Sequence, residues 1–531
     1  MERLHPVDLA VLLGYLVAVA ALGASFRSRS RDPRGFKIAS GRLAGWAVGM
    51  SLFGTFLSSN TFLGVPGKAY ASDWNAFVFS LTLPVAAYVA VRWFLPFHRA
   101  GATISAYSHF AERFGGWAQI YAAACYLLTQ LARIGSILFG VSLALSQLTG
   151  WPLWAIVLAL GALVTAYTVI GGIEAVIWTD VVQSVVLSAG ALFALVTVLR
   201  GVPGGLLGAL REGAAAGKTS LGSFSLDPAQ STFWVVLAYG LVINLTNFGI
   251  DQSYVQRYHA ARSAAHAARS VWLAAWLYLP VSLVFFVLGT SLFVWGDHNP
   301  ELVQTLRAEV AVERAVPESE VGAAEIGDRV FPRFIAGELP IGLRGLLLAA
   351  LLAAAMSSID TSLNSSATIL QEDVLRPRAG PRSPTSDGSD HGPDAASEDV
   401  GRREMRMLHA CTLAMGLLGT AAALALLRVR SILDAWWTLS GIFAGGLLGL
   451  FLLGFVVHRA RSAEAALAVI VGTGVIGWLT LEPRLPETLL AAGSPLRLAV
   501  HANLITVLGT LTVFAVGLLA SRLRPSRSVA G

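Results

Sequence analysis

The sequence predicts an all-α polytopic membrane protein of about thirteen transmembrane helices, and three observations carry that prediction. Of 531 residues, 55% are hydrophobic and only 13% charged, where a soluble chain carries about a quarter charged. The apolar residues fall in runs of roughly 20, the length a helix needs to cross hydrocarbon. The loops between the runs alternate in basic character, as a multi-pass chain requires. A mean hydropathy of +0.65 excludes a soluble multidomain enzyme, a disordered chain and a nucleic-acid binder. The excess of 38 Lys+Arg over 32 Asp+Glu reads as inner-loop charge. Cys125 and Cys411 are the only cysteines and sit inside apolar runs, so neither a disulfide framework nor a cysteine metal site is expected.

Taken in order, the first run covers about 7–24 and ends in small residues that imitate a secretory cleavage site. Arg27, Arg29, Arg31, Arg34, Lys37 and Arg42 follow at once, a flank that stays in the cytoplasm. The run therefore reads as an uncleaved span with an external N-terminus. Further spans fall at about 46–70, 75–97, 117–148, 152–170, 174–199, 232–250, 270–296, 341–370, 406–427, 432–457, 463–480 and 498–521, which leaves the C-terminus inside. Inner loops then carry Arg92, Arg99 and Arg113; Arg257, Arg262 and Arg269; and Arg459 and Arg461, with Arg522, Arg524 and Arg527 in the tail. The acid-rich loop 297–340 falls outside. The stretch 376–404 is rich in Pro, Gly, Ser and Asp and reads as a disordered cytoplasmic linker.

Two spans break the rule that lipid-facing backbone must be bonded within its own helix. The second runs from Gly54 through Asn60 and Thr61 to Pro66-Gly67, and the seventh carries Asn244-Leu245-Thr246-Asn247-Phe248-Gly249. The seventh comes five helices after the second, so they run in opposite directions, the signature of an inverted repeat with unwound helices around a substrate. The plainer reading is close helix packing by small residues. The ninth span, Ala353 to Thr368, places Ala354, Ser357/Ser358, Thr361, Asn364/Ser365 and Thr368 on one helical face, with Asp360 a turn away. An intramembrane acid marks an ion or substrate path by default, and oxygen donors without His or Cys suit a small hard cation. Asp180, about two turns into the sixth span, is a second such acid.

At these residues the chain resembles the sodium:solute symporter family. Four blocks match in order: Thr55-Phe56-Leu57-Ser58 through Gly64-Val65-Pro66-Gly67; Gly171-Gly172 through Trp178-Thr179-Asp180-Val181-Val182-Gln183; Asp251-Gln252 with Val255-Gln256-Arg257-Tyr258; and the Met356-Ser357-Ser358 helix. The similarity runs from about residue 35 to 460. The resemblance implies one transporter domain over 1–531 with a LeuT-like five-plus-five inverted repeat. Residues 7–45 give the first span and its basic loop, 46–200 the first repeat, 201–231 an external loop, 232–457 the second repeat, and 458–531 two accessory spans and a basic tail. It implies a shared sodium site from the carbonyls of Gly54, Leu57 and Ala354 and the hydroxyls of Ser357 and Ser358. It further points to a second sodium site at Asp180, Ser357, Asp360 and Thr361, where Asp360 replaces the usual small hydroxyl.

Arg133 is the one cation read as deep in the fourth span, and it needs a carboxylate, carbonyls or an anionic solute. In sialic acid transporters a similarly placed Arg clamps the substrate carboxylate, and Gly135 to Gly150 is similar to the monocarboxylate, vitamin and iodide branch. Asn60, Thr61, Arg133, Asn244, Asn247 and Phe248 are the substrate-facing candidates. The expectation is a non-enzymatic, sodium-coupled importer of a small organic anion in the cell (plasma or inner) membrane. Its partners are the solute, sodium and the lipid bilayer, with no organic cofactor, nucleic acid or obligatory protein partner. A sugar, polyol or amino-acid symporter, an ion pair between Arg133 and Asp360 or Glu112, and proton coupling through Asp180 or Asp360 are the alternatives. Gly213 to Thr219 imitates a phosphate loop with one residue too few between its glycines.

Overall fold

Chains that cross hydrocarbon must satisfy their backbone internally, and the fold follows that demand. The computed structural model describes residues 5–57, 59–101, 103–375, 395–426, 445–484, 494 and 497–523. Among them there is no strand, only an isolated bridge between Leu43 and Ala261. The helices are α1 (Pro6–Ser25), α2 (Pro33–Ile38), α3 (Gly45–Phe56), α4 (Ser59–Ala71), α5 (Phe77–Ala100), α6 (Ser108–Phe114), α7 (Gly116–Thr149), α8 (Leu153–Arg200), α9 (Gly205–Ala215) and α10 (Phe233–Ile250). After these come α11 (Gln252–Ala260), α12 (Ala264–His298), α13 (Pro300–Arg314), α14 (Ala323–Glu338), α15 (Leu343–Ile369), α16 (Ala395–Ala425), α17 (Leu447–Val456), α18 (Ser462–Leu481) and α19 (Ala502–Leu523). Among the described residues, ten helices are long and apolar enough to span a bilayer, or eleven with the bent pair α3–α4 taken as one.

Helix α8 has 48 residues and turns at Gly172, at φ 57°, ψ −160°, between the two spans expected there. A Cβ at this position would lie 2.9 Å from the Phe36 ring and 3.0 Å from its carbonyl oxygen. Positive φ and close approach both demand glycine. Helix α15 is the axis of the bundle: every residue from 347 to 369 is buried, against α1, α3, α4, α7, α8 and α16. Helix α1 belongs to this bundle too. Buried Asp8 accepts, through Oδ1, from the N–H groups of Gly342 (2.7 Å) and Gly345 (2.9 Å), the otherwise unpaired donors at the start of α15.

Several expectations need correction. The loop 297–340 folds into α13 and α14, and its acids pair locally, Glu313 with Arg329 at 2.7 Å and Glu309 with Arg333 at 3.8 Å. The loop 201–231 holds α9. The linker 376–404 is not wholly irregular, because α16 already begins at Ala395; residues 376–394 lie outside the described set. Of the span at 432–457, residues 432–444 also lie outside it, and α17 is ten residues long. At the basic end, the topology markers have partners of their own. Buried Glu174, just past the Gly172 turn, pairs with Arg29 (3.0 Å) and Arg42, and buried Lys37 pairs with Glu372.

Candidate ion and solute site

The second span does interrupt. Helix α3 ends at Leu57, whose φ −97°, ψ 90° is extended, and α4 continues at 50°. Leu57 N–H still bonds to Gly54 O at 3.0 Å, and the Thr55 hydroxyl donates to Ser51 O at 2.9 Å, the back-bonding by which a hydroxyl bends a helix. The Phe56 ring locks the break against Phe248, Tyr254 and Tyr278, with centroids 5.6, 5.2 and 5.4 Å away.

The seventh span interrupts later than expected. Asn244 to Gly249 are helical, and the chain leaves the helix at Asp251, φ −72°, ψ 119°. The Asp251 side chain caps the next turn through Ser253 N–H at 2.8 Å. Helix α11, polar in sequence, is then buried at Gln252 to Tyr258. A buried polar helix must be anchored by side-chain bonds, and its centre is Arg257.

Arg257 is the largest fully buried side chain among the described residues and pairs with equally buried Asp180 at 2.9 Å. Its Nε donates to Ser51 Oγ (2.8 Å), Nη1 to Ser253 O (2.8 Å) and Nη2 also to Thr361 Oγ1 (2.7 Å). Ser51 and Ser357 donate their hydroxyls to the two Asp180 oxygens. Such a pair survives desolvation only with this degree of satisfaction. The expectation that Arg257 is an inner-loop cation is therefore corrected. So is the idea that Arg133 is the deep cation paired with Asp360 or Glu112. Arg133 is half-buried, donates to Thr55 O at 3.0 Å, and has no carboxylate within ion-pair distance among the described residues.

The residues expected to hold ions lie in the core and not on a lipid-facing surface. A Cβ on Gly54 would stand 3.3 Å from Ser357 Oγ and 2.5 Å from Ser184 Oγ, so the end of α3 touches α15. Ser358 Oγ is buried without a partner, and Ala354 lies one turn earlier on the same face. Asp180 and Thr361 accept from Arg257, and Ser357 reaches that pair only through Asp180. Asp360 stands beside them, with Oδ2 accepting from Tyr167 at 2.8 Å and Thr179 at 3.5 Å.

Among the solute candidates, half-buried Thr61 bridges the break to Phe56 O at 3.5 Å, and Phe248 packs on Phe56. Asn247 is half-buried on α10, and the side chain of Asn60 lies outside the described residues. Asn244 instead faces α5, donating to Thr82 Oγ1 (2.9 Å) and Phe79 O (3.3 Å). The phosphate-loop mimic has a structural use: Lys218 donates to Tyr70 O (2.7 Å) and Ala71 O (3.2 Å), the last carbonyls of α4. Burial pulls its ammonium below the ordinary lysine value, opposed by Asp73 and Asp297.

Comparison with known proteins agrees with this geometry. The sodium/sialic acid symporter NanT of Aliivibrio fischeri is 32% identical over 473 residues, 88% of this chain and 86% of its own. Human sodium-coupled monocarboxylate transporter 1 is 28% identical over 497 residues, 90% of this chain and 75% of its own. A solved substrate-bound, outward-open Na+-coupled sialic acid symporter superposes with a TM-score of 0.80 at 28% identity, covering 98% of both chains. The model of one family matches residues 36–472, a stretch that contains both interruptions, the Asp180–Arg257 pair and the serine face of α15. The chain is a multi-pass cell-membrane transporter with a LeuT-like fold, not an enzyme, and it belongs to the sodium:solute symporter family.

Proposed function

We propose that this sodium-coupled symporter imports a small organic anion by alternating access. The observation that carries this reading is Arg133. It stands beside the α3–α4 break, anchored by one bond to Thr55 O and without a carboxylate partner among the described residues. A guanidinium in that position favours a bidentate carboxylate. Relatives named for sialic acid and for monocarboxylates support the same class; a sugar, polyol or amino acid is the second choice.

Sodium is held by the carbonyls of Gly54, Leu57 and Ala354 and the hydroxyls of Ser357 and Ser358. Three features support this set: the extended backbone at Leu57, the contact of Gly54 with Ser357, and the unpartnered Ser358 hydroxyl. The ion ties α3 to α15 and stabilises an outward-facing state by its differential affinity for the two states. In this reading the repeats are 46–200 and 232–457 in a chain of thirteen spans, with the N-terminus outside and the C-terminus inside. Proton coupling through Asp180 is disfavoured because its carboxylate is engaged by Arg257.

Two variants test the reading in proteoliposomes, after a thermal-shift panel of carboxylates, sugars and amino acids in sodium or choline chloride has chosen the solute. Ser357→Ala with Ser358→Ala raises the sodium concentration needed for uptake by about tenfold or more; unchanged sodium dependence rejects the site. Arg133→Ala selectively loses anionic solutes, and equal loss of every solute rejects the clamp.

A further inference from the structure

Helices α8 and α15 meet closely at Gly190, where a Cβ would stand 2.7 Å from Ala350 Cβ and 3.2 Å from Leu347 Cδ2. Beyond that contact, toward the start of α15, a crevice of about 500 Å³ opens between Leu343 and the face of α8 that carries Ala189, Phe193, Val196 and Arg200. Phe193 and Val196 are half-exposed on the lipid-facing side. Thr197, the other polar residue of this face, turns its hydroxyl to Phe193 O at 2.8 Å. Arg200, exposed in the last turn of α8, has no ion pair or side-chain hydrogen bond among the described residues. Two features set its depth. A Cβ on Gly201 would meet the Trp295 indole Nε1 at 2.6 Å, and tryptophan gathers at the membrane boundary. Leu207, just beyond on α9, is 76% exposed, as expected of a short amphipathic helix lying at headgroup level.

We propose that this crevice binds one glycerophospholipid, with an acyl chain against Phe193 and Val196 and the phosphate on Arg200. The dimensions match. From Ala189 to Arg200 the helix rises ~16 Å, about the depth of one leaflet, which is half of a hydrocarbon core of ~30 Å. The chemistry matches too. The walls are apolar through the hydrocarbon depth, and one free guanidinium stands at headgroup level, where a phosphate accepts two parallel N–H bonds. That unpaired cation separates the crevice from ordinary helix surface wetted by exchanging lipid, because a basic residue closing an intramembrane crevice selects lipid phosphates. The bound lipid covers Leu343, the first residue of α15, and so supports the joint between α8 and the central helix. The site is independent of which solute the transporter carries.

Native mass spectrometry of the purified full chain tests the site, by titration in detergent with dioleoyl-phosphatidylglycerol or with dioleoylglycerol, which lacks the phosphate. The expected result is one phosphatidylglycerol held at least about tenfold more tightly than any further copy and than dioleoylglycerol, the worth of a charge-assisted contact. Arg200→Ala removes that preference, so that the two lipids bind alike. Val196→Trp fills the crevice and abolishes the tight copy, with an unchanged melting transition showing that the fold is kept. Phosphatidylglycerol bound at full affinity in Arg200→Ala overturns the inference. A tight copy that survives in Val196→Trp places the lipid elsewhere on the surface and overturns it too. A ladder of equally weak copies in the unaltered chain identifies exchanging boundary lipid only, with the same consequence.

Discussion

The two interrupted helices use one device for opposite purposes. At Leu57 an apolar helix stops and another starts at 50°, with the small end of α3 set against Ser357. That break turns oxygen toward the core. At Asp251 an apolar helix gives way to a polar one, and eight of the nine residues of α11 are buried. That break carries a cation inward, to Asp180. Each interruption must satisfy the backbone it frees, and they differ there too: hydroxyl back-bonding bends the first, and a carboxylate cap restarts the second.

The sharpest way to break the comparison is Arg257→Leu. It strands Asp180 without its cation and lowers stability by about 3–5 kcal/mol, read as a collapse of the melting transition in detergent. Arg257→Leu combined with Asp180→Leu recovers more than half of that loss; a double variant as unstable as the single one shows that the pair is not a unit. Asp251→Ala removes the cap that restarts α11 and costs about 1 kcal/mol, measured by the same melting with sodium dependence largely kept. The mildest is Gly54→Ala. The new methyl meets Ser184 Oγ, which must turn away from Met50 O, its acceptor at 3.2 Å, at about 0.5–1.5 kcal/mol. Adding Ser184→Ala relieves that strain, and a persistent defect places it at Ser357 instead.

Much of the architecture was legible because hydrocarbon leaves few choices. Run length marks the spans, Gly171-Gly172 marks the turn of α8, and the small polar residues before Pro66 mark the first interruption. The serine face of α15 was readable from its three- and four-residue spacing. The second interruption was misplaced because Asn244, Thr246 and Asn247 look like a break, yet Asn244 bonds laterally to α5 and the helix runs on to Ile250. Arg257 escaped because Arg262 and Arg269 follow it, and loop charge and buried charge look alike in one dimension. The signal was present all the same: Gln252, Ser253, Gln256 and Arg257 crowd a segment whose neighbours are aromatic, a composition that suits a buried polar helix better than a loop. Partners distant in the chain, such as Tyr167 with Asp360, leave no periodic trace.

The clasp of Asp8 on the first turn of α15 has a practical use. It fastens a lipid-facing strut to the central rod, so a reporter dye on α1 travels with the rod. Val17 is 68% exposed on that strut, and both native thiols, Cys125 and Cys411, are buried. A cysteine introduced at Val17 therefore gives one clean attachment point from which to follow the rod by fluorescence as salt is exchanged.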